Sequence, residues 1–97
     1  MKILVADNID KSAIEAMQTA NLDINIQIGM SPDELLAKIP AYNIIAVRSQ
    51  SKITKEIIDA GKNLQLIVRA GTGLDNIDCD AAALAGIEVR NTPQATT

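Results

Sequence analysis

Apolar runs at 3–6, 24–28, 44–47, 66–68 and 87–89 alternate along the chain with stretches of helical periodicity. The runs at 3–6, 44–47 and 66–68 are continuous, as in strands buried on both faces of a parallel sheet. The run at 24–28 alternates, with Ile24, Ile26 and Ile28 set against Asn25 and Gln27, which predicts an edge strand with one wet face. Residues 10–20 put Ile14 and Met17 on one side of a helix, joined by Leu22, with Lys11, Glu15 and Gln18 elsewhere. Ser31-Pro32-Asp33-Glu34 reads as a helix start: a serine N-cap, proline at the first position and a glutamate closing a capping box. Thr54 is the expected cap of a third helix, which Gly61 would end in the left-handed conformation. Asp78 is the expected cap of a fourth, alanine-rich helix (Ala81, Ala82, Ala83, Ala85) that ends at Gly86. Its small side chains let it lie close to a sheet.

Strict alternation of strands and helices implies right-handed crossovers and a parallel sheet. The expected fold is α/β: a flavodoxin-like five-stranded parallel sheet in the order 2-1-3-4-5, with helices on both faces. That fold normally closes with a fifth helix. After the last apolar run these residues instead read Asn91-Thr92-Pro93-Gln94-Ala95-Thr96-Thr97, so the closing helix is expected to be lacking. The 97 residues make one domain at most, with a real core and a small stability margin.

Composition narrows the chemistry. Tyr42 is the sole aromatic residue, so flavin-stacking walls and base-stacking platforms for single-stranded nucleic acid are not expected. Net charge is −3 with no basic stripe, which argues against a phosphate-backbone partner. The sequence has no histidine, hence neither the commonest general base nor the commonest metal ligand. Cys79 stands alone, so no internal disulfide or thiolate metal cluster is expected, and it reads as a small buried hydrophobe on a helix. The apolar run that follows Met1-Lys2 breaks at Asp7. It is too short for a secretory leader or a membrane span, and the expected location is cytoplasmic.

In open parallel sheets, ligands bind beyond the carboxyl ends of the strands. Those ends read Asp7-Asn8, Arg48-Ser49-Gln50, Ala70-Gly71-Thr72 and Asn91-Thr92. Arg48 offers a planar fork for a carboxylate or phosphate, and Ser49 offers one further hydrogen bond. Gly71 and Gly73 lack a Cβ, so the main chain of the Gly71-Thr72-Gly73 turn can approach a ligand closely and aim N–H groups at an anion. Each feature has a plainer alternative. An arginine at a strand end is often a solvated charge. Asp7 suits a turn or cap, and Asp75 and Asn76 suit a loop brace. Arg69 follows a buried strand, and pairing with an acid across the domain would explain it. The six residues from Gly71 to Asn76 begin like a dinucleotide fingerprint. They end in asparagine and follow the fourth strand, and no acidic strand-end residue stands at the expected distance, so they are not an independent nicotinamide site.

The segment Arg69-Ala70-Gly71-Thr72-Gly73-Leu74-Asp75-Asn76-Ile77-Asp78 resembles the signature of the D-2-hydroxyacid dehydrogenase family. Val47-Arg48-Ser49-Gln50-Ser51-Lys52-Ile53-Thr54 narrows the resemblance to members that oxidise 3-phosphoglycerate at C2 in serine biosynthesis, and Asn91-Thr92-Pro93 is similar to the family again. The resemblance covers essentially the whole chain. It implies that residues 1–97 are the N-terminal portion of a discontinuous substrate-binding domain, into which an NAD-binding domain is inserted and which a C-terminal return completes. It implies that Arg48 and Ser49 contact the acidic groups of the substrate and that the Ala70 and Gly71 amides hold its carboxylate. Thr72 matches a position near the nicotinamide end of NAD, and Asn91 a substrate-side position. The family's catalytic histidine, glutamate and arginine lie in segments absent here, so these residues are expected to bind substrate without completing catalysis, with no metal and no tightly held NAD.

Two other readings remain. A stand-alone flavodoxin-like signalling module, such as a phospho-receiver, needs an aspartate where Arg48 and Ser49 stand and a lysine where Arg90 and Asn91 stand. A folding or assembly fragment would expose apolar sheet surface near the first helix and self-associate, so a homo-oligomer is expected.

Overall fold

The computed structural model describes residues 1–9, 11–20, 23–48, 51–70 and 76–92. Its elements alternate as expected: β1 (Lys2–Val5), α1 (Lys11–Thr19), β2 (Asp23–Ile26), α2 (Pro32–Lys38), a 3₁₀ turn (Ile39–Ala41), β3 (Ile44–Val47), α3 (Lys55–Ala60), β4 (Leu66–Ala70), α4 (Cys79–Leu84) and β5 (Glu88–Thr92). The strands form one sheet in the order β2-β1-β3-β4-β5, every neighbouring pair parallel. Among the described residues no helix follows β5.

Strand pleating divides the core in two. Leu4, Ile45, Val47 and Ile67 face α2, α3 and α4 and pack with Leu35, Ile57, Ile58 and Ala82. Ile3, Val5, Ile44 and Ala46 face the other way, where Ile14 of α1 reaches them. Full burial of one such side chain stabilises the fold by about 1.5–3 kcal/mol. The Met17 side chain and Leu22, expected on the same side as Ile14, lie outside the described residues.

Local signals account for the helix ends. The Ser31 side chain accepts from Glu34 N–H while the Glu34 carboxylate accepts from Ser31 N–H, a complete capping box. Thr54 caps α3 and Asp78 caps α4 through their side-chain oxygens. Gly86 follows α4 at φ 76°, a conformation that favours glycine.

Two expectations need correction. Gly61 ends α3 at φ −78°, ψ 68°, not in the left-handed region. Space there is tight: a Cβ would sit 3.1 Å from Leu64 Cβ and 3.3 Å from Ile39 Cγ1. In β2 the edge position is as expected, but its apolar face is not uniformly buried: Ile26 is 49% exposed. Ile24 and Ile26 pair with Ile3 and Val5, at the margin of the face that α1 covers.

Candidate functional site

In this strand order the topological switch point lies between β1 and β3, where consecutive connections leave toward opposite faces. Asp7 leaves β1 there and Arg48 leaves β3. The β3–β4 register pairs Val47 with Arg69, so Arg48 stands level with Ala70, the last residue of β4. The β4–β5 register pairs Arg69 with Asn91 and Ala70 with Thr92. Arg48, Ala70 and Asn91 therefore share the carboxyl edge of the sheet. Ser49, Gly71 and Thr72 lie outside the described residues.

Asp7 is 2% exposed. Its Oδ2 accepts from Arg48 N–H at 2.7 Å and Ser51 N–H at 2.9 Å, and its Oδ1 accepts from the Ser51 hydroxyl at 2.5 Å. A buried carboxyl group is costly unless it is hydrogen-bonded, and these donors meet that need. The exposed Arg48 side chain donates from Nη1 to the Asn8 carbonyl at 3.5 Å, so its fork stays at the solvent edge.

Asn76 holds the same loop from the β4 side. Its Nδ2 donates to Arg48 O and to Ser51 O, each at 2.6 Å, and its Oδ1 accepts from Arg69 Nε at 2.7 Å. The partner expected for Arg69 is an acid across the domain; at Nε the partner is instead the amide oxygen of Asn76, seven residues on. Downstream, Ile53 N–H donates to Asn76 O at 2.8 Å and Asp78 N–H to Ile53 O at 2.9 Å, a short parallel bridge between Ile53 and Ile77. The segment that follows Arg48 and the segment that leads into α4 are thus zipped together. From sequence Asp7 is expected only as a turn or cap residue, whereas the loop brace expected at Asn76 is present; the signal that marks both is a polar residue placed where two strand exits meet.

A cavity of about 460 Å³ opens beside this loop, between the first turns of α2 and α3, with Met30, Leu36, Ser51, Lys52 and Ile57 in its wall. Among the described residues no group of three or more acidic or cysteine side chains is arranged to hold a metal ion, and no helix is long and apolar enough to cross a membrane.

An open parallel α/β sheet with an arginine loop at its switch point belongs to the doubly wound class, whose ligands bind outside the carboxyl ends of the strands. Comparison with known proteins narrows this. Residues 3–97 match the family model for the D-isomer specific 2-hydroxyacid dehydrogenase catalytic domain, and the chain belongs to that family. Its relatives include D-3-phosphoglycerate dehydrogenase of Archaeoglobus fulgidus, 47% identical over 97 residues, which cover 100% of this chain and 18% of the relative. Hydroxypyruvate reductase of Thermotoga maritima is 44% identical over 96 residues, covering 98% and 31%. The crystal structure of NAD+-bound 3-phosphoglycerate dehydrogenase from Entamoeba histolytica superposes with a TM-score of 0.84 at 33% identity, covering 96% of this chain and 33% of that one. The chain therefore spans between about a sixth and a third of the proteins it matches.

The described residues do not fit a dinucleotide. The connection from β1 to α1 begins Asp7-Asn8-Ile9, without glycine, and sets a buried carboxyl group where a pyrophosphate would approach.

Proposed function

We propose that residues 1–97 form the N-terminal portion of the substrate-binding domain of an NAD-dependent D-3-phosphoglycerate dehydrogenase, which oxidises 3-phosphoglycerate at C2 for serine synthesis. The observation that carries this reading is a guanidinium on a loop pinned from two sides, at the same sheet edge as the strand that feeds the glycine turn. In this reading Arg48 forms charge-assisted hydrogen bonds to an acidic group of the substrate and Ser49 adds a hydroxyl. The Ala70 and Gly71 amides hold the carboxylate, Asn91 stands on the substrate side, and Thr72 approaches the nicotinamide. These residues bind and orient the substrate. NAD and the groups that move the proton and hydride belong to the rest of the longer enzyme.

A charge-assisted hydrogen bond contributes about 1.5–3 kcal/mol. Arg48→Ala in the full-length enzyme is accordingly expected to raise the KM for 3-phosphoglycerate by roughly 10- to 100-fold and to leave the KM for NAD within about twofold. An unchanged substrate KM counts against the assignment. The similarity to a hydroxypyruvate reductase keeps an unphosphorylated 2-hydroxy acid as the second reading. A higher kcat/KM for glycerate than for 3-phosphoglycerate would favour it.

Self-association of the isolated chain belongs to the same proposal. Ile26 and Ile28 are about half exposed, and Ile24, Leu66, Val68 and Ala70 on the α1 face are only partly buried. Apolar surface of this kind favours a second copy.

A further inference from the structure

Arg48 and Ser51 are held in the same unusual way. Each donates its main-chain N–H to Asp7 Oδ2 and accepts at its main-chain carbonyl from Asn76 Nδ2. Both peptide polar groups of both residues are thus gripped by side chains that arrive from different strand exits. The orientation of the Asn76 amide is dictated by its neighbours. A nitrogen with two hydrogens can face two carbonyl oxygens, and an oxygen can face the Arg69 guanidinium.

We propose that Asn76 is a positioning residue that ties the arginine loop to the end of β4 through Arg69, so that the Arg48 guanidinium is presented to an anion in a fixed relation to the sheet edge. Asp7 is its counterpart on the β1 side. The proposal rests on the reading of Arg48 as a substrate contact. Arg69 lies in β4 and donates to the same side chain, so a loop tied to this amide is tied to that strand. Asparagine has the shape for this role, since one planar group supplies two donors on one atom and an acceptor on the other. An aspartate has nearly the same shape and keeps the acceptor for Arg69, but it sets an oxygen 2.6 Å from two carbonyl oxygens, a contact the loop must open to relieve.

The test has two arms. In the 97-residue chain, amide hydrogen exchange of Arg48 and Ser51 is expected to quicken at least about tenfold in Asn76→Asp, with Ile45 and Val47 of β3 unchanged. In the full-length enzyme, Asn76→Asp is expected to raise the KM for 3-phosphoglycerate about tenfold or more, with the KM for NAD held within about twofold. Asn76→Ala removes the donors without the repulsion and should shift both readouts in the same direction, which keeps the test decisive if the aspartate variant does not fold. Unchanged exchange overturns the latch outright. Faster exchange with a normal substrate KM, where Arg48→Ala is impaired, overturns the positioning role alone. A normal substrate KM in Arg48→Ala itself overturns the functional reading beneath it.

Discussion

Replacing Asp7 with alanine removes the acceptor for two main-chain amides and one hydroxyl at once. Hydrogen bonds to a charged group contribute about 1.5–3 kcal/mol each, and simple addition would overshoot. The Arg48 side chain is exposed and Ser51 is half-buried, so water re-satisfies part of what is lost. Asp7 as a whole is 2% exposed, so truncation also leaves a small void. A net loss of about 3 kcal/mol is expected. Against a total of about 5–15 kcal/mol for a domain this size, that is a large fraction. At about 4–8 °C per kcal/mol, Tm should fall by roughly 12–24 °C, read by circular dichroism on the 97-residue chain. Asp7→Asn keeps an oxygen for both amides and should cost only about 1 kcal/mol. If Asp7→Ala melts within about 4 °C of the parent, or if the asparagine variant is as damaged as the alanine one, then Asp7 does not anchor the loop energetically.

Gly61→Ala is expected to destabilise by about 1–3 kcal/mol through overpacking, because the new methyl meets Leu64 Cβ at 3.1 Å and Ile39 Cγ1 at 3.3 Å; a urea midpoint equal to the parent's would contradict this. Light scattering of the isolated chain at tens of micromolar, the order of ordinary weak-dimer affinities, should return a mass above the monomer, and Ile26→Glu should lower it. A clean monomer for the unsubstituted chain ends the self-association proposal.

Much of the site was legible because its parts are local. Arg48 follows the continuous run of β3 and Ala70 ends the run of β4, so alternation alone put them at one edge of a parallel sheet. The bonds that give the edge its shape are not local. Asp7 reaches Arg48 and Ser51 across 41 and 44 positions, and Asn76 reaches Arg48 across 28. An aspartate after an apolar run looks like any turn residue until the neighbouring strand exit is known. Gly61 shows the same limit in part: its place at a helix end was evident and Leu64 is only three positions on, but the crowding by Ile39 comes from an element brought there only by folding.

Short-range pattern by itself determined the strands, the helix caps at Ser31, Thr54 and Asp78, the parallel order and the edge of the sheet where chemistry gathers, because period and capping depend on residues within a few positions of one another. Tertiary structure decided which polar side chains are buried, which strand face α1 leaves open at Ile26, and how the arginine loop is held. Those outcomes depend on distances between chain segments tens of residues apart: α1 covers only part of its sheet face, and the arginine loop is held where β1, β3 and β4 end by side chains that satisfy its main-chain donors and acceptors.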